Sequence, residues 1–151
     1  MSATTKPRPR GSTLSARGGR QALSLAARVL GALSLLSVGA VHLQQYFDLY
    51  HGVPTIGTLF VMNFVGATIV GLGLLSPVER VLGRAAVVLL ALAGIAQAAT
   101  AFVFLYISER APLFGFQEPG YDPTAIMTAR VSEIATVVFL GAFLVTRFLR
   151  R

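Results

Sequence analysis

Four long apolar runs separated by short polar links set the pattern of this chain. They extend from Ala22 to about Tyr46, from Thr55 to Leu75, from Ala85 to Ile107 and from Thr124 to about Phe148. At about 1.5 Å per residue, each run is long enough as a helix to cross a hydrocarbon layer of about 30 Å. The links read as turns. Residues 47–54 (FDLYHGVP) carry aromatics suited to a headgroup zone, with Pro54 placed to open the second helix. Residues 76–84 (SPVERVLGR) form a tight basic turn, and residues 108–123 (SERAPLFGFQEPGYDP) form the one sizeable loop. In that loop Asp122 and Pro123 are a good N-cap and first-turn pair for the fourth helix.

Four spans joined by short links predict an all-α membrane protein, an up-down bundle of four transmembrane helices. A signal peptide ending near Val38-Gly39-Ala40 is the competing reading of the first run. That run is longer than a typical signal core and three more follow it, so a retained helix is expected. Residues 1–20 are rich in Ser, Thr, Gly, Pro, Lys and Arg without apolar periodicity, which predicts a disordered basic tail beside anionic headgroups. The transmembrane domain is then 21–151.

Composition agrees with this class. The 151 residues are 54% hydrophobic and 13% charged, against about 25% charged in soluble domains, and the mean hydropathy is +0.70. Cysteine is absent, which removes disulfides, thiolate metal sites and thiol redox chemistry. The net charge of +7 is distributed as a topology signal rather than as a nucleic-acid surface. Eleven of the thirteen basic residues lie in the N-terminal 28 positions, the middle turn and the C-terminal tail, which an up-down bundle places on one side. By the positive-inside rule both termini are expected in the cytoplasm.

The polar residues inside the runs carry whatever chemistry there is. His42 lies about 12 Å inside the loop end of the first helix, Asn63 a similar distance inside the second, and Gln97 about ten residues inside the third. Arg130 and Glu133 lie about 10 and 15 Å inside the fourth. Four antiparallel helices thus bring their main polar side chains to one layer near the loop end. Charges at membrane depth are costly and face partners or a cavity. A structural clasp, with Arg130 paired to Glu133 and the other three residues satisfying what remains, is one reading. A pocket for a proton, cation or small ligand centred on Glu133 and His42 is the other.

Weaker signals add little. A haem or metal site on His42 and His51 is disfavoured because His51 falls in a loop. Glu109, Glu118 and Asp122 can gather a hard cation, but a loop needs polar residues in any case. Phe114, Phe116 and Tyr121 read as a lid at the interface. Small residues four apart (Ala27 and Gly31, Ala67 and Gly71, Gly94 and Ala98) permit close helix approach without choosing a dimer face. No phosphate loop, nucleophile–base pair, metal motif or dinucleotide fingerprint is present, so neither an enzyme nor a cofactor is expected.

The segments VHLQQY (41–46), VPTIGTLFVMNFVGA (53–67) and GYDPTAIM (120–127) resemble a group of small four-helix integral membrane proteins of high-GC bacteria. The resemblance implies a multi-pass plasma-membrane protein and implies no chemistry. Size and helix count are also similar to DoxX-type quinone-linked membrane proteins, an analogy of fold without a shared residue motif. Two functions follow as expectations. The first is a non-enzymatic bundle that scaffolds or modulates a membrane assembly, with the lipid bilayer and a homodimer or another membrane protein as partners. The second is a small transporter or proton-linked carrier, dimeric because one four-helix bundle encloses little pathway.

Overall fold

A computed structural model describes residues 11–148 of the chain, with side-chain surroundings from residue 18 onward. Four helices account for most of it: α1 (Gly11–Gln45), α2 (Ile56–Leu75), α3 (Val78–Ser108) and α4 (Pro123–Phe148). All four are long and apolar enough to cross a membrane. Helix α1 packs against α2 and α4, and α3 packs against the other flanks of those two, while α1 and α3 only touch across the diagonal. The result is a square, up-down, four-span bundle, with the links 46–55 and 109–122 at one end (the loop end) and the start of α1, the turn 76–77 and the end of α4 at the other (the terminal end).

Three boundaries differ from the sequence expectation. Helix α1 starts at Gly11, inside the stretch expected to be disordered, while residues 1–10 of that tail lie outside the described residues. Leu, Ala, Arg and Gln over residues 14–23 favour the helix, against a cost of about 1 kcal/mol each for Gly18 and Gly19. At its other end α1 continues as a single wide π turn, Tyr46–Tyr50, where a plain link was expected. That turn leaves Phe47 65% exposed and Tyr50 5% exposed, so the two neighbouring aromatics face opposite environments. Helix α3 starts at Val78, inside the stretch 76–84 expected to be a turn and seven residues before the expected Ala85, and is broken at Gly83. Gly83 has φ of 81°, in the left-handed region that favours glycine.

Close packing in the terminal half rests on the small residues. A Cβ placed on Gly31 would fall 2.5 Å from Leu140 Cδ2, and one on Gly94 would fall 2.8 Å from Leu140 Cδ1. Leu140 is therefore a knob of α4 seated between α1 and α3. Gly71 receives Leu36 in the same way, at 2.7 Å. Each small pair thus works inside the bundle, where van der Waals fit replaces the missing hydrophobic drive between membrane helices. Leu35, Leu74, Val87 and Leu140 are fully buried around this layer. The outward faces carry Ile69, Leu89, Val131 and Val138, all more than half exposed and suited to lipid.

The terminal end is fastened by charge. Arg28 of α1 donates through Nε to the carbonyl of Leu74 and through Nη2 to that of Ser76 at 2.6 Å. Both acceptors belong to the C-terminal end of α2, whose last carbonyls have no partner within the helix. Arg147 near the end of α4 pairs with Glu79 at the start of α3 at 2.7 Å.

Candidate functional site

The loop-end half of the bundle is packed differently. Where α1, α2, α3 and α4 diverge toward the links they enclose a cavity of about 490 Å³, within the ~300–1,000 Å³ common for small-ligand sites. Its walls are mainly apolar: Val41, Leu59, Phe60, Phe104, Leu105 and Ile126, with Ala101, Ala125 and Ala129 leaving the space that larger side chains would fill. His42, Asn63 and Gln97 all line it. Three of the five polar residues placed by depth are thus on one cavity.

These three side chains divide their hydrogen bonds unevenly. Gln97 Nε2 donates to the Asn63 carbonyl at 2.7 Å and to Asn63 Oδ1 at 3.0 Å, which ties α3 to α2. His42 Nδ1 donates to the Val38 carbonyl at 2.8 Å, one turn back on α1. A carbonyl only accepts, so that bond assigns the proton to Nδ1 and leaves Nε2 as an acceptor. The ring also rests on Phe60, with centroids 4.9 Å apart. His42 Nε2, Asn63 Nδ2 and Gln97 Oε1 have no hydrogen-bond partner among the described residues.

Arg130 and Glu133 correct the expectation of a mutual pair. Arg130 is ion-paired with Glu109 at the end of α3, and its side chain is 33% exposed. Glu133 is 1% exposed, and neither of its oxygens has a hydrogen-bond partner. The cause is direction and reach. Arg130 starts about 10 Å inside α4, within reach of the aqueous edge for a long side chain that places its apolar stem in the membrane and its head outward. Glu133, one turn deeper on the face of Ala125 and Ala129, points into the bundle. Neither Arg130 nor Glu133 lines the cavity.

The cavity's aqueous end is closed by a lid whose side-chain clasps the sequence did not make evident. Residues 109–122 fold back through a tight turn in which Leu113 and Phe116 exchange both backbone bonds, at 2.7 and 3.0 Å. Leu113, Phe116 and Glu118 reach the cavity, whereas Phe114 and Tyr121 remain 56% and 70% exposed. Of the three aromatics expected to form a lid, Phe116 therefore does so. Two side-chain clasps hold this loop to α1: the Tyr50 hydroxyl donates to Glu118 Oε2, and Gln45 Nε2 donates to Asp122 Oδ2 at 2.9 Å. Asp122 also accepts from the Ala125 amide at 3.0 Å, the N-cap bond its position predicts. The signal for the clasps was Gln45 and Tyr50, polar tips on an apolar helix end with acidic residues in the facing loop.

The metal readings do not assemble. His51 sits beside Tyr46 on the far side of the π turn, away from His42. Glu109, Glu118 and Asp122 are committed separately to Arg130, Tyr50 and Gln45. Among the described residues no group of three or more His, Asp or Glu side chains could hold a metal ion. Comparison with protein families, with curated proteins and with solved structures finds no match to this chain.

Proposed function

We propose that this protein is a non-enzymatic, four-span protein of the cell membrane, with both termini cytoplasmic, that holds a small ligand in its loop-end cavity. The observation that carries the reading is the unequal packing of the two halves. The terminal half is filled by Leu140 and its neighbours, while the loop-end half keeps about 490 Å³ open beside His42, Asn63 and Gln97. A purely structural clasp needs no such space, because the Gln97–Asn63 bonds form at helix contact distance. The lid supports the same reading, since two side-chain clasps hold the loop over the space.

A carrier that alternates between sides draws no support from the terminal half, where Leu35, Leu74, Val87 and Leu140 are fully buried. For catalysis, the serine on the cavity wall is already engaged, Ser108 Oγ donating to the Leu105 carbonyl at 3.0 Å. The cytoplasmic placement of the termini rests on the clustered basic residues, of which Arg20, Arg28, Arg80, Arg84 and Arg147 fall at the terminal end.

The test is purification in a mild detergent followed by solvent extraction and mass spectrometry. The expected result is one class of small molecule retained near one per chain, and lost from Ala101→Phe, which fills the cavity. A protein that leaves the membrane without any small molecule, in stoichiometric complex with another membrane protein, would instead support the scaffold role that the sequence suggested.

A further inference from the structure

We infer that the cavity is entered sideways from the bilayer, between α2 and α3, and that it takes a neutral amphiphile whose head group carries a hydroxyl. This rests on the ligand reading above and adds the route and the chemical class.

The route follows from which lining residues are exposed. On α1 and α4 every residue that lines the cavity is buried or half-buried, and so are those of the lid. The exposed ones lie on α2 and α3 alone: Met62, which is 63% exposed, with Ala96 and Thr100. These three sit about 9 to 18 Å inside the ends of their helices. That is hydrocarbon depth in a layer about 30 Å thick. The opening therefore faces acyl chains, while Phe116, Glu118 and the Tyr50 clasp cover the path from water.

The class follows from charge and hydrogen bonding. No lysine or arginine lines the cavity among the described residues, so a carboxylate or phosphate would enter without a counter-charge. The one charged lining residue, Glu118, accepts from the Tyr50 hydroxyl and, at 2.8 Å, from the Gly120 amide, which leaves it poorly placed to receive an ammonium group. The uncommitted groups include three acceptors, His42 Nε2, Gln97 Oε1 and Gln45 Oε1, one amide donor, Asn63 Nδ2, and at the opening the Thr100 hydroxyl. A hydroxyl both donates and accepts, and so complements this set better than a carbonyl alone. The apolar remainder of the wall takes the tail.

The chain has no tryptophan, so Phe104→Trp places a single reporter on the cavity wall. Leu113→Trp, in the lid, serves if the first variant does not fold. Val138→Trp, on a face 57% exposed to lipid, reports the bulk bilayer. In phosphatidylcholine nanodiscs, a dibrominated monoacylglycerol should quench the cavity reporter saturably beyond the Val138→Trp control. The matching dibrominated fatty acid at pH 8 should be at least tenfold weaker. Adding Thr100→Phe at the opening should slow the approach to the end point at least tenfold. No saturable quenching by either probe would remove the ligand site itself. Equal or stronger quenching by the acid would keep the site and overturn the class. A rate indifferent to Thr100→Phe but raised by Tyr50→Phe would keep the site and overturn the route.

Discussion

Tyr50, the last residue of the π turn after α1, donates its hydroxyl to Glu118 in the loop that precedes α4, 68 positions later in the chain. Both residues are buried, at 5% and 9% exposure. The bond closes the water-facing end of the cavity, and the Tyr50 ring continues that closure by packing on Phe60 and Phe116, with centroids 4.8 and 5.6 Å away. Had α1 ended in regular α geometry, its last aromatics would follow a different angular spacing; the wide turn is what aims Tyr50 inward.

Tyr50→Phe keeps the ring packing and removes the donor. A hydrogen bond to a charged group contributes about 1.5–3 kcal/mol, and here the effect should be local to the lid. Hydrogen exchange should quicken at the Glu118 amide, which donates to the Ser108 carbonyl at 2.8 Å, and at the Gly120 amide. Amides in the middle of α3 should be unchanged. Global unfolding with no selective lid effect would mean that Tyr50 supports the whole bundle.

Arg130 should be coupled more strongly to Glu109, its ion-pair partner, than to Glu133. Double-mutant cycles of Arg130→Met with Glu109→Gln, read as melting in detergent, should show a coupling of about 1 kcal/mol, modest because both side chains are partly exposed. The cycle of Arg130→Met with Glu133→Gln should show a smaller coupling, because the two charges act on each other without a hydrogen bond. The reverse pattern would restore the pair expected from the sequence.

Glu133 offers a separate test of the core. Its carboxyl group is buried with both oxygens unpartnered, and replacing such a group by an apolar one of similar size relieves a cost of about 1–3 kcal/mol. Glu133→Met should therefore melt higher than the parent. A lower melting temperature would show that the carboxyl group has a partner in the membrane-embedded protein.

Much of this was legible in the apolar pattern. Run lengths and the Asp122–Pro123 cap located the spans, because a membrane helix must satisfy its own backbone and so declares its length. Depth bookkeeping also brought His42, Asn63 and Gln97 together, since antiparallel helices of known pitch fix height without any knowledge of packing. Height does not fix direction. Arg130 and Glu133 share a sequence neighbourhood, yet one reaches up to Glu109 and the other points inward, and only the placement of α3 decides that. The clasps of the lid were hidden for a similar reason: Tyr50 changes sides through a π turn, and neither Glu118 nor Asp122 reveals its partner from loop composition.

Orientation in the membrane is tested by single cysteines in a chain that has none. Gly52→Cys and Gln117→Cys should react with an impermeant maleimide on intact cells, and Val81→Cys should not. Val81 is 78% exposed in the first turn of α3, at the terminal end, and avoids the positive-φ site at Gly83. Labelling at Val81 alone would invert the topology.

The most direct test of the ligand site uses the methionine methyl groups. The chain has three methionines; Met62 lines the cavity, while Met127, 55% exposed, lies on α4 outside it. In a protein labelled with ¹³C at the methionine methyls and held in nanodiscs, titration with a monoacylglycerol should shift the Met62 resonance saturably and leave those of Met127 and Met1 in place. Met62 and Met127 moving together in proportion to the added lipid, or Met62 not moving at all, would contradict a binding site in the cavity.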